Sequence, residues 1–230
     1  MLFEFCFMLY LQQFLSQAGV AARRQAIDLI KSGVVKVNNK TAQAGVKIDP
    51  LKDKIKVNDE LIKPVASLVY YLVNKPIGYT CTVDDYHAQH KVVDLVPPIP
   101  KVWPVGRLDK NSHGLIILTN DGDFTHQLTH PKFEHAKEYI VTLNKTITAD
   151  LLPQLKKGIK LSEGLAKVDQ IKVLTDDKIS IIIHQGWHRQ IRRMLGFCNY
   201  KAVDLQRIKV GQWSLGNLEV GKYKKININA

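Results

Sequence analysis

Residues 104–123 read Pro-Val-Gly-Arg-Leu-Asp-Lys-Asn-Ser-His-Gly-Leu-Ile-Ile-Leu-Thr-Asn-Asp-Gly-Asp. The layout is strand, polar loop, strand. Asp109 sits in the loop two residues after Arg107, and the aliphatic run Leu115, Ile116, Ile117, Leu118 reads as a buried strand that anchors it. A carboxylate fixed between two strands is the result. Taken alone, an Asp in a polar loop is usually a turn former or helix cap, so the rest of the chain must decide its role.

Outward from this stretch, the apolar segment 68–73 reads as a strand, followed by the turn Lys75-Pro-Ile-Gly78. Further strands are expected over 102–105, 138–143, 171–174 and 179–184, with helical patterns at 124–128, 150–157 and 190–197. Strands and helices are mixed without strict βαβ alternation, which predicts an α+β domain. Toward the N-terminus, Leu11, Phe14, Leu15 and Ala18 recur at helical spacing up to Gly19. A second helix begins near Ala22, carries Arg23 and Arg24 on its first turn and stops at Gly33. Val34-Val-Lys-Val, the turn Asn38-Asn39-Lys40, Lys54-Ile-Lys-Val and Glu60-Leu-Ile then read as a small sheet. Two domains follow, at 9–63 and 68–226, joined near Pro64 to Ser67. No internal repeat is present.

The chain has 230 residues and a formal net charge of +12, with 45% hydrophobic residues. Such a surface attracts polyanions by counterion release, which puts nucleic acid ahead of anionic membrane. Cys6, Cys81 and Cys198 lie far apart and form no CxxC or Cys/His array, so neither structural zinc nor a disulfide framework is indicated, and a reducing cytoplasm fits. The apolar start carries Glu4 and lacks a basic leader and cleavage site, so it is expected to be neither signal peptide nor membrane span. Met8 precedes the first helical pattern, and the residues before it read as an extension. His126-Gln-Leu-Thr-His130 has helical ligand spacing but lacks the glutamate of HExxH, and His184 and His188 lack a third ligand, so no metal is expected. There is no phosphate-cradling glycine loop and no GxSxG.

The string GRLDxxxxGLxxLTNDG at 106–122 resembles the central motif of the RsuA/RluB/RluE/RluF family of pseudouridine synthases. Two further matches occur in the order the family has them. Lys137-Glu-Tyr-Ile-Val places Tyr139 on the strand face opposite Glu138 and Ile140, and Gly186-Trp-His-Arg-Gln-Ile-Arg-Arg-Met194 enters a helix. Lys75-Pro-Ile-Gly78 resembles the family's first motif, with a mainly structural role. Over 9–63, the order helix, Arg-Arg helix, VVKVNNK turn and DKIKVND resembles the S4 RNA-binding domain. Tyr10 stands where such domains usually open with a basic residue, and Trp187 and His188 also depart from the family's usual residues.

The resemblance implies a small S4-like (αL) domain followed by a catalytic domain with a mixed, mainly antiparallel sheet flanked by helices. It implies that Asp109 is the catalytic aspartate, that Tyr139 stacks on the target base and that Arg192 pairs with the aspartate. Arg107, Arg189 and Arg193, with Arg23, Arg24, Lys31 and Lys36 of the small domain, are the implied RNA contacts. A carboxylate suffices for this isomerisation, so no cofactor is expected. Asp109 either attacks C1′ or assists loss of the 2′ proton, and the sequence does not choose. A guanidinium is suited to hold it ionised, because it stays charged and pairs in a fixed fork. The expected partner is ribosomal RNA, of the large subunit by the closeness of GLIILTNDGD, KEYIVTLNKTIT and QGWHRQIRRM to RluF and RluB members, with the enzyme acting as a monomer in the cytoplasm without membrane contact. Small-subunit RNA, transfer RNA and a non-catalytic role in ribosome assembly are the alternatives.

Overall fold

The computed structural model describes residues 8–64, 67–83 and 88–228. The expectations for the residues before Met8, for Cys6 and for the middle of the 64–67 joint lie outside the described residues. By compactness the chain divides into two units, one holding the N-terminal 69 residues with short pieces at 98–102 and 120–122, the other the remainder.

In the first unit, strand β1 (Leu9–Tyr10) leads into helix α1 (Leu11–Gln17), which turns Leu11, Phe14 and Leu15 inward at the i, i+3, i+4 spacing of one helix face. Helix α2 (Arg23–Lys31) buries Ala26 and Ile30. At its start the Gln25 side chain accepts the Ala22 N–H at 3.1 Å, satisfying one of the amides a helix N-terminus leaves open. Strands β2 (Val35–Val37), β3 (Lys40–Thr41), β4 (Lys47–Ile48), β5 (Ile55–Val57) and β6 (Glu60–Ile62) follow. β4 pairs with β1, and the others form a sheet in the order β3-β2-β5-β6. Two hairpin turns of that sheet have positive φ at both central residues, Asn38-Asn39 and Asn58-Asp59. Asn and Asp tolerate this conformation, and it matches the twist of a tight hairpin. Leu11, Phe14, Leu15, Ile30, Val35, Ile48 and Ile55 close one core beneath the helices.

The second unit contains β7 (Tyr70–Lys75), β8 (Trp103–Val105), β9 (His113–Thr119), α3 (Gly122–Thr129), β10 (Lys137–Leu143), α4 (Leu151–Lys157), β11 (Ile159–Leu161), β12 (Gly164–Ala166), β13 (Gln170–Thr175), β14 (Lys178–Ile183), α5 (Gln190–Phe197), β15 (Ala202–Val210), β16 (Trp213–Ser214) and β17 (Tyr223–Ile226). Nine of these strands form one sheet whose main path runs β13-β14-β10-β15-β9-β7-β17, with β16 on β15 and β8 on β9. Among these strand pairings β15–β9 alone is parallel, so the sheet is mixed and mainly antiparallel, as expected. The aliphatic run Leu115–Leu118 is fully buried at its centre, where burial on both faces suits a continuous apolar sequence.

One central strand had escaped the sequence reading. β15 lies between β10 and β9, yet its pairing with β10 shifts register at Glu138/Tyr139 and again at Thr142/Leu143. Each bulge displaces the inward face, so Ala202, Leu205, Arg207 and Val210 are buried at irregular spacing and the period-2 signal is lost.

Candidate active site

Asp109 stands on the loop between β8 and β9, and nearly every residue of that loop is tied down. Arg207 Nη1 donates to the Arg107 carbonyl at 3.4 Å, and the Leu108 N–H donates to Cys81 Sγ at 3.2 Å. The Asp109 carbonyl accepts the Ser112 N–H at 3.0 Å, and the Lys110 carbonyl accepts the Gly78 N–H at 2.8 Å. The Arg192 guanidinium donates to the Asn111 carbonyl at 2.7 Å, to Ser112 Oγ at 3.4 Å and, at 2.5 Å, to the Ala202 carbonyl. The turn at 75–78, read as structural, thus reaches the candidate carboxylate's own loop. A side chain on a backbone held at so many points keeps its direction without further ordering.

The half-buried Asp109 lines a pocket of about 690 Å³ together with Arg107, Tyr139, Arg189 and Arg207. Tyr139 enters it from β10, on the same strand face as the buried Val141 and Leu143. One wall carries Thr129, His130, Pro131, Glu134 and His135, and another carries Gln185, Trp187 and His188. The second wall is organised by Gln190, buried at the start of α5. Its amide donates to Gln185 Oε1 at 2.8 Å and accepts the Trp187 N–H at 3.3 Å.

The pocket's surroundings are strongly cationic. Lys75, wholly buried, donates to the carbonyls of Pro76 and Tyr79, and burial pulls its pKa down to about 8 although Cys81 and Asp109 oppose the shift. Lys137 donates to the carbonyls of His135 and His184, and burial, aided by the Arg207 charge, lowers it to about 8. Burial also lowers Arg192, with the Arg189 charge adding to the effect and Asp109 and Asp204 countering it. The Cys81 thiol is pushed up by burial, which keeps it neutral. Among the described residues, Lys75, Lys137, Arg192 and Arg207 are held by main-chain carbonyls and no ion pair joins them to a carboxylate. Carbonyl dipoles solvate these cations but do not neutralise them. Their charge is left for Asp109 and for an anionic ligand.

The structure therefore brings Asp109, Tyr139, Arg107 and Arg189 to one pocket, with Arg192 behind the loop. Arg192 does not pair with the aspartate through a hydrogen bond, as the sequence reading had it; its fork is taken by carbonyls, and the Asp109 charge reaches it only through space, partly countering the burial that lowers Arg192. Arg193 points elsewhere, making a two-pronged pair with Glu163 at 2.7 and 2.9 Å that holds Glu163 down at about 2. In the N-terminal unit, Arg23, Arg24 and Lys31 are exposed on α2, whereas Lys36 pairs with Asp59 at 2.7 Å. Across from Tyr10, Lys47 places its ammonium 5.1 Å from the ring centroid, so a basic group adjoins the position where one was missed in sequence.

The sequence reading passed over Arg207, Gln190, Lys75 and Cys81 as contributors to this site. Lys75 had a signal, its place in the family's first motif. Gln190 had one too, its place in the Gly186–Met194 string, whereas Arg207 and Cys81 had none, because each meets the site through contacts distant in sequence.

A carboxylate and a tyrosine in a cationic pocket, on a mixed sheet and in a chain that also carries a small basic domain, define an enzyme acting on a polyanion. Comparison with known proteins makes the class definite. The model of the RNA pseudouridylate synthase family matches residues 69–196, and that of the S4 domain matches residues 11–55. The chain is 37% identical over 224 residues to ribosomal large subunit pseudouridine synthase B of Bacillus subtilis (strain 168), covering 94% of this chain and 91% of that protein. It is 36% identical over 224 residues to an uncharacterized RNA pseudouridine synthase of Aquifex aeolicus (strain VF5), with 94% and 90% covered. Against the dual-specificity RNA pseudouridine synthase RluF of Escherichia coli (strain K12) it is 34% identical over 218 residues, with 94% and 74% covered. A crystal structure of a pseudouridylate synthase superposes with a TM-score of 0.68 at 30% identity, covering 95% of this chain and 96% of that one. The chain belongs to the RNA pseudouridine synthase family, isomerases of uridine in RNA, and carries an S4 domain ahead of its catalytic domain.

Proposed function

We propose that this enzyme isomerises a uridine of large-subunit ribosomal RNA to pseudouridine, with Asp109 as the reacting carboxylate. The observation that carries the chemistry is the placing of Asp109 and Tyr139 in one pocket ringed by cations. The target class rests on the relative named for the large ribosomal subunit, which matches along nearly the whole chain.

The uracil must leave its stack before its glycosidic bond is reachable, and the Tyr139 ring takes over part of the lost stacking. The C1′–N1 bond breaks, the base turns, and C1′ bonds to C5. The hydrogen leaves C5, N1 gains one, and atoms and electrons balance without any redox partner. Asp109 serves either by attacking C1′ or by taking the 2′ proton, and the Tyr139 phenol offers a group for removing the C5 hydrogen. Arg192 holds the loop and supplies charge to the carboxylate. Arg107 and Arg189 take phosphates at the pocket, and Arg23, Arg24 and Lys31 take them in the small domain. Arg193 and Lys36 contribute less, because Glu163 and Asp59 occupy them. The small domain (9–63), tethered to the catalytic domain (68–226), raises the latter's effective concentration at its site. A monomer working in the cytoplasm completes the reading. Among the described residues, no helix is long and apolar enough to cross a membrane.

The test is to map pseudouridines in total RNA from cells with and without the gene, and with Asp109→Asn restored in its place. One or more positions in large-subunit RNA should vanish with the gene and stay absent with the Asn variant. Sites appearing in small-subunit or transfer RNA instead would redirect the target, and an unchanged map would overturn the function.

A further inference from the structure

Arg207 belongs to none of the motif strings, yet it meets the pocket with an unusual set of contacts. The residue is only 4% exposed. Nε donates to the Leu115 carbonyl at 2.8 Å and Nη1 to the Arg107 carbonyl at 3.4 Å. Those carbonyls flank the two ends of the Asp109 loop, so one planar guanidinium spans its entrance and its exit. On the sheet, Arg207 stands directly across from Tyr139, and opposed residues of antiparallel strands project to one face. The backbone approach that permits this depends on Gly114, where a Cβ would lie 2.3 Å from the Arg207 carbonyl oxygen.

Among the described residues no carboxylate pairs with this guanidinium. A buried charge is costly to keep, and a hydrophobic side chain of like volume would pack this position more favourably. A pure phosphate-binding arginine would keep its fork free and open to solvent, whereas this one spends Nε and Nη1 on the loop. Arg192 grips the far part of the same loop through Asn111 and Ser112, so the two arginines divide the work between the ends and the tip.

Resting on the function proposed above, we infer that Arg207 is a positioning residue for pseudouridine formation. It staples both ends of the loop that carries Asp109, so that the carboxylate keeps its place in the pocket when RNA binds. Lysine cannot replace it, since an ammonium keeps the charge but lacks the planar span between two carbonyls.

The test compares wild type, Arg207→Lys and Arg207→Gln in single-turnover assays over a range of enzyme concentrations, using total ribosomal RNA from cells lacking the gene as substrate. RNA affinity and thermal unfolding are measured on the same samples. Arg207→Gln should lose roughly 10- to 100-fold in rate, the scale of one charge-assisted hydrogen bond. The loss should persist at saturating enzyme, because a misplaced carboxylate slows the chemical step and not the encounter with RNA. RNA affinity should stay within a few-fold. Arg207→Lys should be slowed much as Arg207→Gln is, although it keeps the charge and at temperatures where both variants remain folded, which a role in stability or in charge alone would not produce. A wild-type rate at saturating enzyme in either variant overturns the inference. So does a loss confined to RNA affinity with a shallower salt dependence, which would make Arg207 a phosphate contact. Inactivity of the wild type would strike the proposed function itself, whereas failure of the Arg207 variants to behave as stated leaves the Asp109 result standing.

Discussion

Tyr139 on β10 faces Arg207 on β15 at the point where the register between those strands shifts, with Glu138 opposite Lys209 and Tyr139 opposite Arg207. One residue of β15 is left unopposed there. A bulge bends its strand and re-aims nearby side chains. Here it brings a tyrosine and a guanidinium together at the pocket that Asp109 lines.

The proposed chemistry asks two separable duties of Tyr139, a ring for the swung-out base and a phenol for proton transfer. Tyr139→Phe keeps the ring and the packing of a residue that is 8% exposed. RNA affinity and thermal stability should therefore stay close to wild type. Turnover should fall by about 100-fold or more, within the range of one general acid–base group. Rapid-quench product analysis and filter binding on the same variant check both halves.

Gly114 precedes the buried run of β9 at φ +102°, with the Arg207 backbone against it. Gly114→Ala adds a methyl that overlaps a carbonyl oxygen on the neighbouring strand and forces a side chain into a disfavoured conformation. A loss of about 2 kcal/mol or more is expected, read as a lowered urea midpoint. Activity should drop further than stability explains, because the displaced strand carries the loop's staple.

In the N-terminal unit, exposed and paired cations should behave differently toward RNA. Arg23→Ala combined with Arg24→Ala should weaken binding and lower the salt slope by about two, one for each phosphate that is no longer neutralised. Lys36→Ala should change the slope little, since Asp59 already takes its charge. Affinity measured from low to moderate salt distinguishes them, and a large slope change for Lys36→Ala would contradict the pairing.

Lys75 and Lys137 titrate near 8 in the folded protein, well below the ordinary lysine value, because burial disfavours the ammonium. Below about pH 8 both folded and unfolded chains hold these protons. Between about 8 and 10.5 the unfolded chain holds protons that the folded one has shed, so these groups make stability rise with pH across that window. Lys137→Met should show a shallower rise than wild type in urea midpoints taken from about pH 7.5 to 10. Identical slopes would mean that Lys137 titrates like an exposed lysine.

The amino-acid sequence by itself determined the two-domain order, the strand–loop–strand setting of Asp109, the helices and hairpins of the first unit, and the family. These depend on neighbours a few positions apart: the helical spacing of Leu11, Phe14 and Leu15, the left-handed tolerance of Asn38 and Asn39, the aliphatic run after the loop. Only the tertiary structure decided how the cations are spent. Arg192 turned to carbonyls rather than to the carboxylate, Arg193 to Glu163 and Lys36 to Asp59, while Arg207 came from 100 positions away to hold the Arg107 carbonyl. The physical reason is that a long cation's partner is set by whichever acceptor the packed chain brings within about 3 Å. For Arg207 that depended on a parallel strand pairing and a bulge, neither of which leaves a periodic trace in β15.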